Sequence, residues 1–443
     1  MRRTLHRQRV LIPVPIDHEH ARELAAMSQI LDECPETVEL VHADLIAGVR
    51  ADTGQEGLSA DQVMRAGVVK QMNAFSYAVL AFHLADSSSY RRFCRLPSDK
   101  APSKSALQRD LKKVGPETWE AISRMIVKRA CSMGIEDGSR VRVDCTVTET
   151  NIHRPTDSSL LLDCVRALVR ELIRAQQIVG FAFSDHRRRA KRRALGIENT
   201  RKKTVRMQRY RDLVKVTAKT VGYAQIAVAA LESEGPLEAM VLVDRLRELM
   251  RLSAQVLDQT RRRIFNRERV PVADKIVSIF EPHTDIIVKD RRETLYGHKL
   301  CLTIGASGLV LDALIETGNT ADATLATQMI QRQADLYDGP PRQAAFDGGF
   351  VSRANLEAIK ALGVQDVAFT KTRYIEVTEM VKSSWVYKRL RNFRAGIEGC
   401  ISFLKRCFGL DRCNWRSFQS FKAYAWLSIL TANLLIIARH TLQ

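Results

Sequence analysis

Three acidic residues stand where chain geometry could gather them: Asp144, Asp347 and Glu398. The run Arg140-Val-Arg-Val-Asp144-Cys-Thr-Val alternates polar and apolar residues, which predicts a strand with Asp144 near its end. Asp347 directly follows a short predicted strand, Gln343–Phe346, and Glu398 falls on a later predicted helix. Three carboxylates from three elements repel one another unless a cation joins them. Two-metal phosphodiester chemistry uses such a set to hold ions about 3.5–4 Å apart, one on the attacking oxygen and one on the leaving oxygen. Gly348 and Gly349 would let the backbone turn sharply beside Asp347.

The helix around Glu398 carries a second signal. Offsets of four and seven residues place Arg394, Glu398 and Lys405 on one helical face, with Ile397, Ile401, Phe403 and Leu404 free to pack. One reading has Glu398 on metal with Arg394 and Lys405 on phosphates; the other is an i,i+4 ion pair on a solvated face. Glu149 lies five strand residues beyond Asp144, about 16 Å along, too far to share its ligand. Asn151, His153 and Asp157 lie close in sequence, without an assigned role.

Several elements must position these groups. Apolar spacing from Leu58 to Met133 predicts a helical domain, with breaks at Ser87–Ser89 and Pro97–Pro102. Within it, Ser76–Leu84 reads as one short helix, and Ser103 as the N-cap of a second through Leu107, Leu111 and Val114. The second helix carries Lys104, Arg109, Lys112 and Lys113, as a helix-turn-helix on DNA would; an ordinary bundle with a basic solvated face fits equally. After the first strand, apolar positions 161, 165, 168, 172, 175 and 179, then 242, 246, 249 and 256, predict packed helices over about 158–270. This stretch holds Arg187, Arg188, Arg189, Lys191, Arg192 and Arg193, then Arg201-Lys-Lys203 and Arg261-Arg-Arg263, with no acid inside any run: phosphate contacts, or solvated helix faces. Strands His298–Ile304 and Leu309–Glu316 flank the turn Gly305-Ala-Ser-Gly308, and Thr320 reads as the N-cap of a helix to about Tyr337. Strand Gln343–Phe346, a helix near Arg353–Leu362 and a strand near Val367–Thr370 complete an α+β pattern: a mixed sheet flanked by helices, interrupted after its first strand by the long helical insertion.

Composition sets the class of partner. The 443 residues, 45% hydrophobic, suffice for two or three cores and exclude a disordered tail, and 69 basic against 50 acidic residues give +19, a field that attracts polyanions. Nine cysteines without a Cys-x-x-Cys pair point to reduced thiols in a cytoplasmic protein rather than a zinc or disulfide framework. The start, MRRTLHRQRVLIPVPIDHE, is broken by two prolines and lacks the apolar core of an export signal. Tyr424–Ala438 is apolar but shorter than the roughly 20 residues a bilayer needs, and it carries Ser428, Thr431 and Asn433; it reads as a buried C-terminal helix with no membrane role.

These segments resemble the DDE transposases of bacterial insertion sequences, in the branch whose last catalytic helix carries a tyrosine, arginine, glutamate and lysine signature. Arg394, Glu398 and Lys405 have that spacing, with Arg391 at the tyrosine position. The segment Asp144-Cys-Thr-Val-Thr-Glu-Thr-Asn-Ile-His-Arg-Pro-Thr-Asp-Ser-Ser-Leu160 and the segment Phe346-Asp347-Gly-Gly-Phe350, with phenylalanine where tyrosine is usual, are similar to the family's other two motifs. Leu58–Gly115 is similar to its helical N-terminal domain. The resemblance implies a ribonuclease-H-like catalytic domain over 136–443, a DNA-binding domain over 1–135, and Asp144, Asp347 and Glu398 as ligands of two Mg²⁺ ions, with Mn²⁺ as a substitute. It further implies cleavage at transposon ends, transfer of the freed strand into double-stranded target DNA, and a homodimer on DNA in the bacterial cytoplasm at the nucleoid. The rivals are a DNA-binding protein without catalysis, either a regulator or a decayed transposase, and a structure-specific nuclease that cuts without joining.

Overall fold

Side-chain caps set where the N-terminal helices begin. The computed structural model describes residues 17–48, 57–97, 99–289, 293–372 and 374–443; the N-terminal stretch read above for an export signal lies outside them through residue 16. Helices α1 (Glu19–Asp32) and α2 (Glu36–Ile46) precede α3 (Ala60–Met72), which opens with a reciprocal capping box between Ser59 and Gln62. Ser103 caps α6 (Lys104–Leu111) as the sequence predicts, and Ser76, read as the first residue of its helix, is the cap of α4 (Tyr77–Asp86). The expected break falls at Ser87, where α4 ends, and α5 (Ser88–Phe93) starts directly after it because the Ser87 hydroxyl accepts from Tyr90 N. A third helix therefore separates the two that were paired as a helix-turn-helix. Arg65 on α3 is buried and satisfied: it donates to Asp61 and Asp32, each at 2.6 Å, and to Ser28 at 2.8 Å.

Long helix α7 (Pro116–Ser132) leads into β1 (Arg140–Thr150). The chain divides into two compact units, residues 1–151 with 298–443 and residues 152–297. The expected boundary at 135/136 falls inside the first unit. Its cause is one continuous core, in which Leu31, Val68 and Trp119 of the N-terminal helices join Val143 and Phe346 of the sheet.

The first unit's sheet contains β1, β3 (Glu293–Ile304) from residue 298 onward, β4 (Val310–Glu316), β5 (Gln343–Phe346), β6 (Asp366–Phe369) and the two-residue β7 (Arg412–Cys413). β4 lies antiparallel on β3, β3 neighbours β1, and β1, β5 and β6 run parallel. Helices α12 (Asp322–Leu336) and α13 (Arg353–Ala361) are the crossovers that parallel strands require. Two sequence boundaries move. β1 runs to Thr150, its last residues pairing with β7, so Asp144 stands mid-strand. Helix α12 is preceded by Ala321 without a side-chain cap, because the Thr320 hydroxyl donates to Glu316 instead.

After α14 (Val377–Met380) come α15 (Ser384–Ala395), α16 (Ile397–Phe408) and α17 (Phe418–Thr441). Helix α17 is long and apolar enough to cross a membrane, yet most of it is buried within the unit. Its polar residues explain the burial. Ser428 and Thr431 return their hydroxyls to carbonyls four residues back, and Asn433 exchanges two hydrogen bonds with the Val310 backbone at 3.0 and 2.8 Å.

The second unit contains α8 (Asp157–Gln176), α9 (Arg187–Glu198), α10 (Lys203–Glu234) and α11 (Met240–Thr260), then β2 (Asp285–Lys289), antiparallel to residues 293–297. All six apolar positions predicted on 161–179 are buried. They serve two cores: Leu161 and Val165 join one, Leu168, Leu172, Ala175 and Val179 the other.

The turn before β4 offers a test of packing. Glu136 reaches over it and accepts from Ser307 N at 2.9 Å, and a Cβ on Gly305 would stand 2.2 Å from the Glu136 carboxylate. Gly305→Ala should evict that carboxylate and cost about 1–3 kcal/mol in denaturant unfolding; an unchanged midpoint would show that Glu136 does not hold the turn.

Candidate active site

Backbone register brings the two aspartates together. The last paired residues of β1 and β5 are Val143 and Phe346, and those of β5 and β6 are Phe346 and Phe369. Asp144, Asp347 and Thr370 each come one residue later, so three parallel strands deliver them side by side. The Thr370 hydroxyl donates to Asp347 Oδ1 at 3.0 Å.

Arg394, in the last turn of α15, completes the cluster. Its Nη2 lies 2.7 Å from Asp144 Oδ2 and 3.3 Å from Asp347 Oδ1, and its Nη1 lies 3.2 Å from Glu398 Oε1. All three predicted acids therefore converge on one guanidinium. Exposure grades across them, from 15% of the side chain at Asp144 through 44% at Asp347 to 73% at Glu398.

The signature segment is not one helix. It is interrupted at Gly396, and Arg142 is the reason: its guanidinium donates to Phe393 O at 2.9 Å, and a Cβ on Gly396 would stand 2.4 Å from its Nη1. Arg142 also reaches Cys400 Sγ at 3.2 Å and lies over the Phe393 ring. It sits two residues before Asp144, on the same face of β1. One strand thus supplies both the aspartate and the clamp that fixes the α15–α16 junction carrying Arg394 and Glu398. Helix α16 ends at Gly409, whose left-handed φ of 70° suits a residue without Cβ.

Gly348 and Gly349 form the sharp turn the sequence predicts, with Phe350 N donating to Asp347 O at 3.2 Å, and they also admit neighbouring side chains. Neither has a positive φ. A Cβ on Gly348 would meet the Lys371 stem at 2.8 Å, and one on Gly349 would meet Asp322 Oδ2 at 3.1 Å. The glycines admit those side chains. Asp322 pairs with Lys299, whose Nζ lies 2.8 Å from Asp322 Oδ1 and donates to Thr320 O at 2.7 Å. Sequence reasoning missed Arg142, Asp322, Lys299 and Lys371. The alternation that exposed Asp144 also put Arg142 on its face, which was the available signal; nothing local marked the other three.

Burial pushes the Asp144 carboxyl up, against the pull of Arg394, and Asp347 and Asp322 push it further. For Asp347 burial also works upward, but the Gly348 amide, Arg394, Thr370 and Lys371 together bring it below its ordinary value. Among the described residues no three acidic, histidine or cysteine side chains are arranged as ligands of one ion. Arg394 Nη2 is nonetheless a cation reached by both aspartates, so one positive centre can bridge them. An all-oxygen donor set of this charge fits a hard divalent ion such as Mg²⁺ or Mn²⁺.

The remaining candidates divide by whether they have partners. Lys405 lies 3.9 Å from Asp411, and Glu149 pairs with Arg412 at 2.7 Å. On α6, Arg109 pairs with Asp110 and Lys104 is exposed; just beyond its end Lys112 is exposed and Lys113 half-buried. In the second unit, Arg187 pairs with Asp185, and Arg189 and Arg193 converge on Asp212; Arg188, Lys191 and Arg192 are exposed and form no ion pair among the described residues. His153 bonds Asp163 at 2.6 Å and Asp157 bonds Arg263, so both are held within that unit.

Residues 281–434 match the family model described as the transposase DDE domain. The matched stretch includes Asp347, Arg394, Glu398 and Lys405 and begins after Asp144. No curated protein and no solved structure matches the chain. The match supports a transposase, and the mixed sheet with its N-terminal helices is consistent with a ribonuclease-H-like DDE domain.

Removing Arg394 tests the electrostatics directly. Asp347, lowered, contributes stability above its unfolded pKa that is lost as pH falls through the folded value; Asp144, raised, does the opposite. Without metal, Arg394→Met should therefore destabilise the protein by about 2 kcal/mol at neutral pH, less than a fully buried pair because Asp347 and Glu398 are partly screened. The loss should shrink on acidification through the carboxylate range. A pH-independent loss in chemical denaturation would mean that Arg394 acts by packing alone.

Proposed function

We propose that this chain is a DDE transposase of the insertion-sequence type, which cuts the ends of its element and joins them to target DNA. The convergence of Asp144 from β1, Asp347 from the end of β5 and Glu398 from α16 on one guanidinium carries the reading, and the match over 281–434 supports it. When bound, two Mg²⁺ or Mn²⁺ ions would polarise the scissile phosphate and activate the attacking oxygen. Asp144 and Asp347, fixed by strand register, would hold those ions, and Glu398, the most exposed of the three, would complete the set from α16. Arg394 then has its charge free for a backbone phosphate, and Lys405 lies seven residues beyond Glu398 for a second. Water first frees a 3′-hydroxyl at each end, and that hydroxyl attacks the target. Because both ends must be cut together, the working form is a homodimer on DNA, acting on chromosomal DNA in the bacterial cytoplasm.

The test is cleavage and strand transfer on linear DNA carrying the element's ends, with Mg²⁺. Asp144→Asn, Asp347→Asn and Glu398→Gln should each reduce both products to background while DNA affinity stays within about threefold, under 1 kcal/mol. Binding without any cutting by the wild type would leave a DNA-binding protein, and cutting without joining would leave a nuclease.

The unpaired cations of α9 and α6 are the proposed phosphate contacts. Arg188→Ala, Lys191→Ala and Arg192→Ala should each weaken binding irrespective of DNA sequence and lower the slope of log affinity against log salt by about one. Equal effects from Arg189→Ala and Arg193→Ala, which are tied to Asp212, would refute that division.

A further inference from the structure

A cleft of about 300 Å³ opens in the first unit at the ends of β1 and β5 opposite to the carboxylates. It is lined by Arg140, Arg342, Lys382 and Arg389, with Asp137 as its one acidic neighbour and Trp385 on its wall. Asp137 is already engaged, accepting from Ser139 N and Oγ, both at 2.9 Å. None of the four cations is in an ion pair among the described residues, and Arg140 Nε is buried without a partner. Four positive side chains around one small space repel one another, so the cleft as it stands is short of negative charge.

Trp385 adds a second, independent observation. It is 67% exposed, whereas Trp119, Trp415 and Trp426, the other tryptophans of the chain, are buried. Arg389, one turn along α15, lies over its ring at 5.4 Å. An exposed indole stiffened by a guanidinium is a surface on which a planar aromatic group stacks. Anion-seeking cations beside such a surface recognise a phosphate joined to an aromatic base. The volume suits one nucleotide and excludes a duplex.

We infer that this cleft binds a nucleotide, its base on Trp385 and its phosphate among Arg140, Arg342 and Lys382. The ligand is either a free nucleotide or one unit of a single strand of DNA. Binding here is separate from the carboxylate chemistry. Asp144 stands four residues from Arg140, about 13 Å along β1, and Arg394 stands nine residues from Trp385, about 13 Å along α15.

Because Trp385 is the exposed tryptophan, intrinsic fluorescence reports on the cleft. Full-length protein in chelator, so that nothing is cut, is titrated with an oligothymidylate of about eight nucleotides and, separately, with thymidine monophosphate. Saturable quenching is expected, weakened at least about tenfold in the Arg342→Ala, Lys382→Ala double variant and unchanged in Asp347→Asn. Anisotropy of a labelled oligonucleotide should show Trp385→Ala at least about tenfold weaker and Trp385→Phe close to wild type. Quenching by the monophosphate at equal affinity assigns the site to free nucleotides, and quenching by the oligonucleotide alone assigns it to a strand; both uphold the cleft. Absence of quenching, quenching indifferent to Arg342 and Lys382, or loss of quenching in Asp347→Asn would each overturn it. Failure of DNA cleavage would not, since no cutting is involved.

Discussion

The parallel register of β1 on β5 is the constraint on which the site depends. Side chains alternate along a strand, so a slip of one residue would turn Asp144 to the opposite face and place it beside none of its partners. Val143 and Phe346, buried at the last rung, make that slip costly: it would carry polar neighbours into the core. The two aspartates are thus positioned by the packing of the apolar residues that precede them. Thr370 follows the same rule on β6, and its hydroxyl fixes the orientation of Asp347.

Register gathers negative charge, and the rest of the site answers that charge. Arg394 neutralises part of it directly, Lys299 holds Asp322, and Lys371 lies alongside Asp347. Gly348 and Gly349, by lacking a Cβ, leave room for Lys371 and Asp322, and Gly396 does the same for Arg142. Arg142 links the two layers. Lying against the α15–α16 junction, it transmits the position of β1 to the helix pair bearing Arg394 and Glu398.

Sequence period revealed most of the elements because apolar residues recur at the spacing of a strand or a helix. The heptad positions at 161–179 are all buried, the alternation at 140–147 lies in a strand buried on both faces, and Ser103 caps the helix it announces. What failed depends on contacts distant in sequence. The interruption at Gly396 is imposed by Arg142, more than 250 positions earlier, and the union of N-terminal helices with the sheet rests on a shared core and on α17. The break at Ser87 was legible, but the short α5 that follows it was not, because serine favours both turns and N-caps and here Ser87 does both. The acids were legible because Asp144 lies in a readable strand, Asp347 follows another, and Glu398 keeps a helical spacing. Asp322 was not, since it belongs to the site only through the close approach that Gly349 permits.

Net charge is a poor guide to which basic residues meet a polyanion, and the pairing pattern is a better one. Arg189 and Arg193 share Asp212, Arg187 holds Asp185, and Arg263 holds Asp157; these cations are committed to the fold. Arg188, Lys191 and Arg192 lie in the same run, yet they form no ion pair among the described residues, and neither do Arg140, Arg342 and Lys382 in another part of the chain. A paired arginine must lose a partner to gain a phosphate, whereas an unpaired one gains the phosphate and releases a counterion. The same argument applies inside the carboxylate cluster, with the sign reversed. Arg394 is paired three times over, and a divalent ion that took its place would release a cation already positioned beside the reacting centre. Charge held in reserve by the acids would in that way become charge available to DNA.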